Sequence, residues 1–302
     1  MPENGRAGVD ARIGIVGLGL IGGSIAAGLK SRGNGTVAAW DANPGALHQG
    51  QQAGIIDQAA SSVEALVEAS DLVVIAVPVR AMFDIASRID FSRAVVTDVG
   101  SVKGQVIEAV IQAVGEVPPG FVPGHPVAGS ERHGVAAADA DLFTAHKVIL
   151  TPLPQTHAAA VDQVTGLWQQ LGADVVTMTP DHHDIVLAQT SHLPHLLAYA
   201  LVDTLSQGGD SLEVFQYAAG GFRDFSRIAA SDPVMWRDIF LSNPGPVLES
   251  LEHFSREIEA LRSLIAAGDG EGLREVFARA KSARDYFSQL QNERQERRSR
   301  DD

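Results

Sequence analysis

The chain has 302 residues, 45% of them apolar and 20% charged, with a formal net charge of -14. That is enough apolar material for large buried cores and two domains, while so acidic a balance repels phosphate backbones and argues against a nucleic-acid partner. With no cysteine, disulfides, thiolate nucleophiles and thiolate metal ligands are excluded.

The N-terminal stretch before Arg12 is polar and lacks the apolar segment of a signal peptide. The longest apolar runs, such as Leu72 to Pro78, fall short of the roughly 18–20 residues that span a bilayer. A soluble cytoplasmic protein with no membrane partner is expected. Residues 1–10 read as disordered. From Arg12 a strand runs into Gly17-Leu18-Gly19-Leu20-Ile21-Gly22 and then a helix. A second strand, Thr36 to Trp40, ends at Asp41. This is the strand, G-x-G-x-x-G, helix, strand, acid order of a dinucleotide fold. Gly17 permits the tight turn, Gly19 lets backbone approach a pyrophosphate, and Gly22 lets the helix lie close to the strand. The helix start, with Leu20 and Ile21, offers N–H groups to phosphate. Asp41, 24 residues after Gly17, can accept both ribose hydroxyls and would repel a 2′-phosphate. No arginine follows it, so NAD is favoured over NADP.

Strands and helices continue to alternate. Val63 to Ala69 and Ala81 to Arg88 read as helices, Asp71 to Pro78 and Ala94 to Val99 as strands. A helix opens near Ser101, and Lys147 to Thr151 and Asp174 to Met178 are further strands flanking a helix near His157 to Leu171. The pattern implies a Rossmann-type, doubly wound parallel sheet whose ligands lie beyond the strands' carboxyl ends. Asp41, Val77, Pro78, Ser101 and His125 all follow strand ends and are expected in one crevice. After Pro180 only helices follow: one to about Leu205, then Ser211 to Ala230, Asp232 to Leu241, Val247 to Ala267 and Glu271 to Gln291. The expected division is a dinucleotide domain over 1–178, an all-helical substrate and dimerisation domain over 179–291, and a charged disordered tail over 292–302. Helices this apolar need burial on several sides, and a homodimer is expected.

Several residues carry possible chemistry. His125, held between Gly124 and Pro126, reads either as a histidine satisfied by backbone or as a base facing the crevice. Ser101 reads as a helix cap or as a hydroxyl that orients a substrate oxygen. Lys103 reads as a solvated helix lysine or a catalytic acid. Glu131 reads as a helix-start carboxylate. His182, His183, Asp184, His192 and His195 invite an ion-binding reading, but HExxH is absent and no metal is expected. Pro194 opens the backbone bonding around it. Arg223 and Arg227, four apart, share a helix face and read as surface arginines or as a fork for a carboxylate. Trp236 reads as core.

Five stretches together resemble the prephenate/arogenate dehydrogenase family: GLGLIGGS at Gly17 to Ser24, TDVGSVK at Thr97 to Lys103, GHPVAGSE at Gly124 to Glu131, TSHLPH at Thr190 to His195, and GGFRDFSRIAASDPVMW at Gly220 to Trp236. The first is generic; the other four, in this order and spacing, are specific. The resemblance runs from Arg12 to about Leu290. It implies NAD-dependent oxidative decarboxylation of prephenate to 4-hydroxyphenylpyruvate, or of arogenate to tyrosine, within tyrosine biosynthesis. By that resemblance His125 polarises or deprotonates the 4-hydroxyl, and Ser101 hydrogen-bonds it or aligns nicotinamide. Arg227 binds a substrate carboxylate, His195 lines the site, Glu131 and Asp224 bracket its entrance, and Trp236 packs near the substrate. No room is expected for a fused mutase or a regulatory domain, so inhibition by tyrosine would act at the active site.

Two other readings compete. A β-hydroxyacid dehydrogenase would need a catalytic lysine in its helical domain, and Asp181 to Ala280 contains none. A non-catalytic NAD-binding sensor would leave His125, Ser101 and Arg227 without a common purpose.

Overall fold

The computed structural model describes residues 11–33, 35–129, 132–207 and 211–301. Its first half alternates strand and helix: β1 (Arg12–Val16), α1 (Leu20–Ser31), β2 (Thr36–Trp40), α2 (Pro44–Gln52), β3 (Gln58–Ala59), α3 (Val63–Glu68), β4 (Leu72–Ile75), α4 (Met82–Ala86), β5 (Val95–Asp98), α5 (Lys103–Val114) and β6 (Phe121–Val122). The six strands form one parallel sheet in the order β3-β2-β1-β4-β5-β6. The reversal of strand order beside β1 is the switch point at which doubly wound sheets bind nucleotides.

The central strands are apolar on both faces because helices cover both. Side chains alternate between two cores. Ile13, Ile15, Leu72 and Val74 join one with Ile25 and Leu29 of α1. Val16, Val73, Ile75 and Val96 join the other with Val106 and Val110 of α5. Two elements escape sequence reading. β3 is two exposed residues with no apolar pattern. α2 begins with Asn43, whose side chain accepts the Gly45 N–H, and Pro44 at the first helical position.

The later strands do not extend this sheet. β7 (Gly124–Pro126), β8 (Lys147–Leu150) and β9 (Asp174–Thr177) form a separate three-stranded sheet flanked by α6 (Ala158–Gln170), and β7 runs antiparallel to β8. β6 cannot continue as a ladder because Pro123 has no N–H. The next N–H, that of Gly124, goes to the Asp98 carboxylate at 3.1 Å. His125 therefore sits inside a strand, three residues beyond the parallel sheet.

The second half is helical: α7 (Pro180–Leu187), a π-turn (Ala188–His192), α8 (Leu193–Ser206), α9 (Ser211–Gln216), α10 (Gly220–Ser226), a 3-10 turn (Arg227–Ala230), α11 (Pro233–Ser242), α12 (Pro244–Ala267) and α13 (Gly270–Asp301). Thr179 caps α7 through its side chain, and Asp232 caps α11, as serine, threonine and aspartate do at helix starts. The π-turn falls just ahead of Pro194, whose ring cannot donate a backbone hydrogen bond. The segment read as one helix over Ser211 to Ala230 is instead α9, α10 and the 3-10 turn, broken between Tyr217 and Ala219, where Ala219 is extended. Asn292 to Asp301, expected as a disordered tail, continues α13; its glutamate, glutamine and arginine residues are good helix formers.

The continuous helical run Pro180–Ser206, with a mean hydropathy of 1.3 in its most apolar stretch, is long and apolar enough by length and composition to cross a membrane. This corrects the expectation drawn from uninterrupted apolar runs, which overlooks a long apolar helix interrupted by polar residues. Three of those, His183, Asp184 and His192, are buried inside the chain.

By compactness the chain divides at Val247/Leu248. α7 packs on α5, and α11 packs on the turn after β4, so the first helices of the second half cohere with the nucleotide fold.

Candidate active site

The glycine turn has the geometry its spacing calls for. Gly17 has φ +94°, and a side chain there would lie 2.4 Å from the Ala76 carbonyl oxygen and against Val77. At Gly22 a side chain would lie 2.0 Å from the Gly17 carbonyl oxygen. Gly19 is open: a side chain there would meet nothing within 4 Å, so its backbone is accessible to a ligand. α1 begins with Leu20 and Ile21, has no side-chain cap and has no acid in its first turn. Its first N–H groups are left for an anion. Asp41 ends β2, with Oδ2 accepting the Leu18 N–H at 2.6 Å and Oδ1 the Asn43 N–H at 2.7 Å. Val77 and Pro78 leave β4 beside Gly17. An open backbone, an uncapped helix start and a pinned acid fit a dinucleotide.

His125 lies one residue beyond a buried ion pair. Lys103 and Asp98 have no exposed surface, and their Nζ and Oδ2 are 2.6 Å apart. Lys103 Nζ also donates to the Gly124 carbonyl oxygen at 2.5 Å, while Asp98 Oδ1 accepts the Gly124 N–H. Both polar groups of the Gly124 peptide are thus held by one ion pair. Lys103 is therefore neither solvated nor open to substrate; it clamps the strand that carries His125.

The His125 ring is buried. Its Nδ1 lies 2.8 Å from His183 Nε2, and His183 Nδ1 lies 2.7 Å from Asp184 Oδ1. Asp184 also receives the Lys103 N–H on Oδ1 and the Gly104 N–H on Oδ2, each at 2.8 Å. It caps α5 from the neighbouring α7. Ser101 is thus not the cap: the capping position belongs to Val102, and the Ser101 hydroxyl makes no hydrogen bond among the described residues. Burial lowers the His125 pKa well below its ordinary value, and His183, Lys103 and His192 add to the effect. Burial lowers that of His183 despite its contact with Asp184. Burial alone would raise the Asp184 pKa; the bonds from His183 and the two backbone N–H groups outweigh it and hold the carboxyl ionised.

Asn243 extends the network, its Nδ2 donating to the Asp184 carbonyl oxygen at 2.9 Å and lying 3.3 Å from His192 Nδ1. His192 meets Trp236 edge-on, and His195 stacks on Trp236 with centroids 3.6 Å apart. Trp236 packs with Val102 and Ile239, which ties the helical side of the site to the residue after Ser101. The Trp236 Nε1–H is buried without a partner among the described residues. Burial lowers the His195 pKa, its bond to the Ser191 carbonyl raises it, and the nearby Arg227 cation lowers it.

Residues 25–177 match the nucleotide-binding domain model of prephenate dehydrogenase, and residues 179–279 match its dimerization domain model. The chain belongs to the prephenate dehydrogenase family. It is 38% identical over 282 residues to the cyclohexadienyl dehydrogenase of Zymomonas mobilis, covering 91% of this chain and 96% of that one. The crystal structure of prephenate dehydrogenase from A. aeolicus in complex with hydroxyphenyl propionate and NAD+ is 38% identical. It superposes with a TM-score of 0.84, covering 91% of this chain and 97% of that one. The arogenate dehydrogenase of Synechocystis is 26% identical with a TM-score of 0.77, covering 91% and 99%. Family membership makes the chain an oxidoreductase.

Within this family member, the structure links His125 to His195 and Trp236 through His183, Asp184, Asn243 and His192, sets the Arg227 charge near enough to His195 to lower its pKa, and brings the Ser101 loop to the edge of this set. Arg227 is exposed and caps α10, its N–H donating to the Arg223 carbonyl oxygen, so the two arginines stand one helical turn apart on one face, as their spacing suggests. Asp224 is exposed, and its described ion pair is with Arg223 at 3.9 Å; it is not drawn into the Arg227–His195 group. Glu131 lies outside the described residues. His183, Asp184 and Asn243 were missed as site residues. His183 and Asp184 stood out only as metal-type ligands; here they bind each other and His125.

Three buried neutral histidines make stability depend on pH. Burial pushes His192 down to about 4, against 6.5 when unfolded, so the unfolded chain takes up its proton first as pH falls. The stabilising difference is complete above pH 6.5 and is lost on descending toward 4. For His192 alone the loss by pH 5 is about 2 kcal/mol, in a range above most carboxylate titration. Urea midpoints at pH 7 and pH 5 should record it, and His192→Asn should flatten the slope; an equal slope in the variant would exclude this source.

Proposed function

We propose that the chain is an NAD+-dependent dehydrogenase that decarboxylates prephenate to 4-hydroxyphenylpyruvate in tyrosine biosynthesis, working as a soluble cytoplasmic homodimer. Residues 1–178 bind the nucleotide, and 179–291 supply substrate contacts and the dimer surface. A dinucleotide fits the Gly17–Gly22 turn, the start of α1 and Asp41, with Val77, Pro78 and Ser101 beside it. NAD+, when bound there, supplies a hydride acceptor. The exposed apolar residues Leu248, Ile258, Ile265 and Phe277 on α12 and α13 suit burial against a second copy.

The observation that carries the reading is a buried, neutral His125 clamped through Gly124 and anchored by His183. In the proposed reaction His125 takes the proton of the 4-hydroxyl as C4 loses hydride. The resulting dienone loses CO2 from its ring carboxylate, and the bonding electrons complete the aromatic ring. His125 returns the proton to the phenolic oxygen, so atoms and charge balance. Ser101 holds the same hydroxyl, and His195 and Trp236 bound the ring. Arg227, a cation with no ion pair among the described residues, grips a substrate carboxylate. General base catalysis of this kind is worth roughly 10²–10⁴-fold.

Arogenate is the second reading, favoured by the similarity to a cyclohexadienyl dehydrogenase and to an arogenate dehydrogenase. NADH formation with prephenate and arogenate in parallel decides between them: the ratio of kcat/KM values names the substrate, and comparable values name a dual enzyme. No turnover on either, with NAD+ binding intact, would overturn the dehydrogenase reading. Arg227→Ala should raise KM roughly 10- to 100-fold, the worth of a charge-assisted hydrogen bond, with kcat nearly unchanged. An unaltered KM would remove Arg227 from the carboxylate.

A further inference from the structure

We propose that His183 and Asp184 are positioning residues that fix the tautomer of His125, committing its Nδ1 as a donor within the chain and leaving Nε2 as the basic nitrogen that faces the reacting hydroxyl. This rests on the proposed function only for the hydroxyl; the tautomer stands by itself.

Asp184 begins the chain of reasoning. Both its oxygens accept backbone N–H groups at the start of α5, from Lys103 and Gly104. A carboxylate so engaged is an acceptor only, so the 2.7 Å contact with His183 requires the proton on His183 Nδ1. Burial keeps His183 neutral, and a neutral imidazole has one N–H. Its Nε2 is then a lone pair. The 2.8 Å contact between that atom and His125 Nδ1 requires the proton on His125 Nδ1. The remaining nitrogen, Nε2, has no hydrogen-bond partner among the described residues.

The charged and titratable groups packed around His125 agree with this direction. From β5 and α5 come Asp98 and Lys103, paired with each other; from α7 come His183 and Asp184; from the π-turn comes His192, which is held by Asn243. Lys103 disfavours a second cation in the unreacted site. When Nε2 takes a proton, the new imidazolium still donates through Nδ1 to His183, with the Asp184 charge behind it. The same logic applies wherever the second nitrogen of a catalytic histidine is tied to a carboxylate. Asp184 also holds the start of α5, so the element carrying the Ser101 loop and the orientation of His125 share one anchor.

The experiment is a nitrogen–proton correlation spectrum of the full-length protein labelled at its histidine rings, without substrate, with the His125 signals identified by their loss in His125→Asn. Wild type should show His125 protonated at Nδ1 and bare at Nε2 at pH 7. Asp184→Leu removes the acceptor of the His183 Nδ1–H, the group that sets the direction of the chain, and should give His125 with a large fraction protonated at Nε2. Its kcat should fall 10²-fold or more with KM within a few-fold, and the loss should persist across the pH profile. A merely structural role would lower Tm and leave the tautomer as in wild type. A wild-type His125 protonated at Nε2, or an unchanged tautomer in Asp184→Leu, would overturn the proposal. The wild-type spectrum decides even if the variant does not fold. Because it needs no turnover, it separates this proposal from the choice of reaction.

Discussion

Lys103→Met is expected to destabilise the protein by about 3–5 kcal/mol, the cost of leaving a buried charge without its partner. The reason lies in the surroundings of Asp98. Its carboxylate has no exposed surface and is left with the N–H groups of Gly100 and Gly124 once the ammonium is gone. The Gly124 carbonyl also loses its donor. Urea unfolding measures the loss. The double variant Asp98→Asn, Lys103→Met, which removes both charges at similar volume, should recover a large part of it. A single-variant loss below about 1 kcal/mol would mean that the pair does not bear on stability as a buried ion pair should. Because the clamp holds the residue before His125, the single variant should also lose activity where it remains folded.

His125→Asn is expected to lower kcat by roughly 10²–10⁴-fold, the range of general base catalysis, while NAD+ and substrate affinities stay within a few-fold of wild type. Asparagine is smaller than histidine but retains a polar group near Nδ1, so the contact toward His183 survives while the outer nitrogen is lost. Steady-state kinetics and direct NAD+ titration separate the two effects. An unchanged kcat would remove His125 from the chemistry and, with it, the reaction proposed here. Measured beside Lys103→Met, this variant distinguishes a strand that has moved from a nitrogen that is missing: the first lowers stability and activity together, the second activity alone.

What the sequence determined by itself is what depends on near neighbours in the chain. The tight turn at Gly17, the close packing at Gly22 and the acid at the end of β2 follow from steric rules acting within about 25 residues. The apolar strands of a sheet covered on both faces, the caps at Thr179 and Asp232, and the opened backbone near Pro194 follow from equally local rules. The motifs at Gly124 to Glu131 and Gly220 to Trp236 were enough to point to the family. What only the tertiary structure decided is every relation that joins distant residues. His125 and His183 are 58 apart in sequence, and Lys103 and Asp184 are 81 apart. No periodicity links them, so a carboxylate that caps a distant helix and orients a histidine through another histidine leaves no pattern to read. Lys103 reads as a surface residue until the fold buries it with Asp98. The departure of β7 from the parallel sheet likewise depends on where that buried pair sends the Gly124 peptide. Local sterics and hydrogen-bonding rules can be read along a chain; desolvation and long-range pairing exist only once the chain has closed on itself.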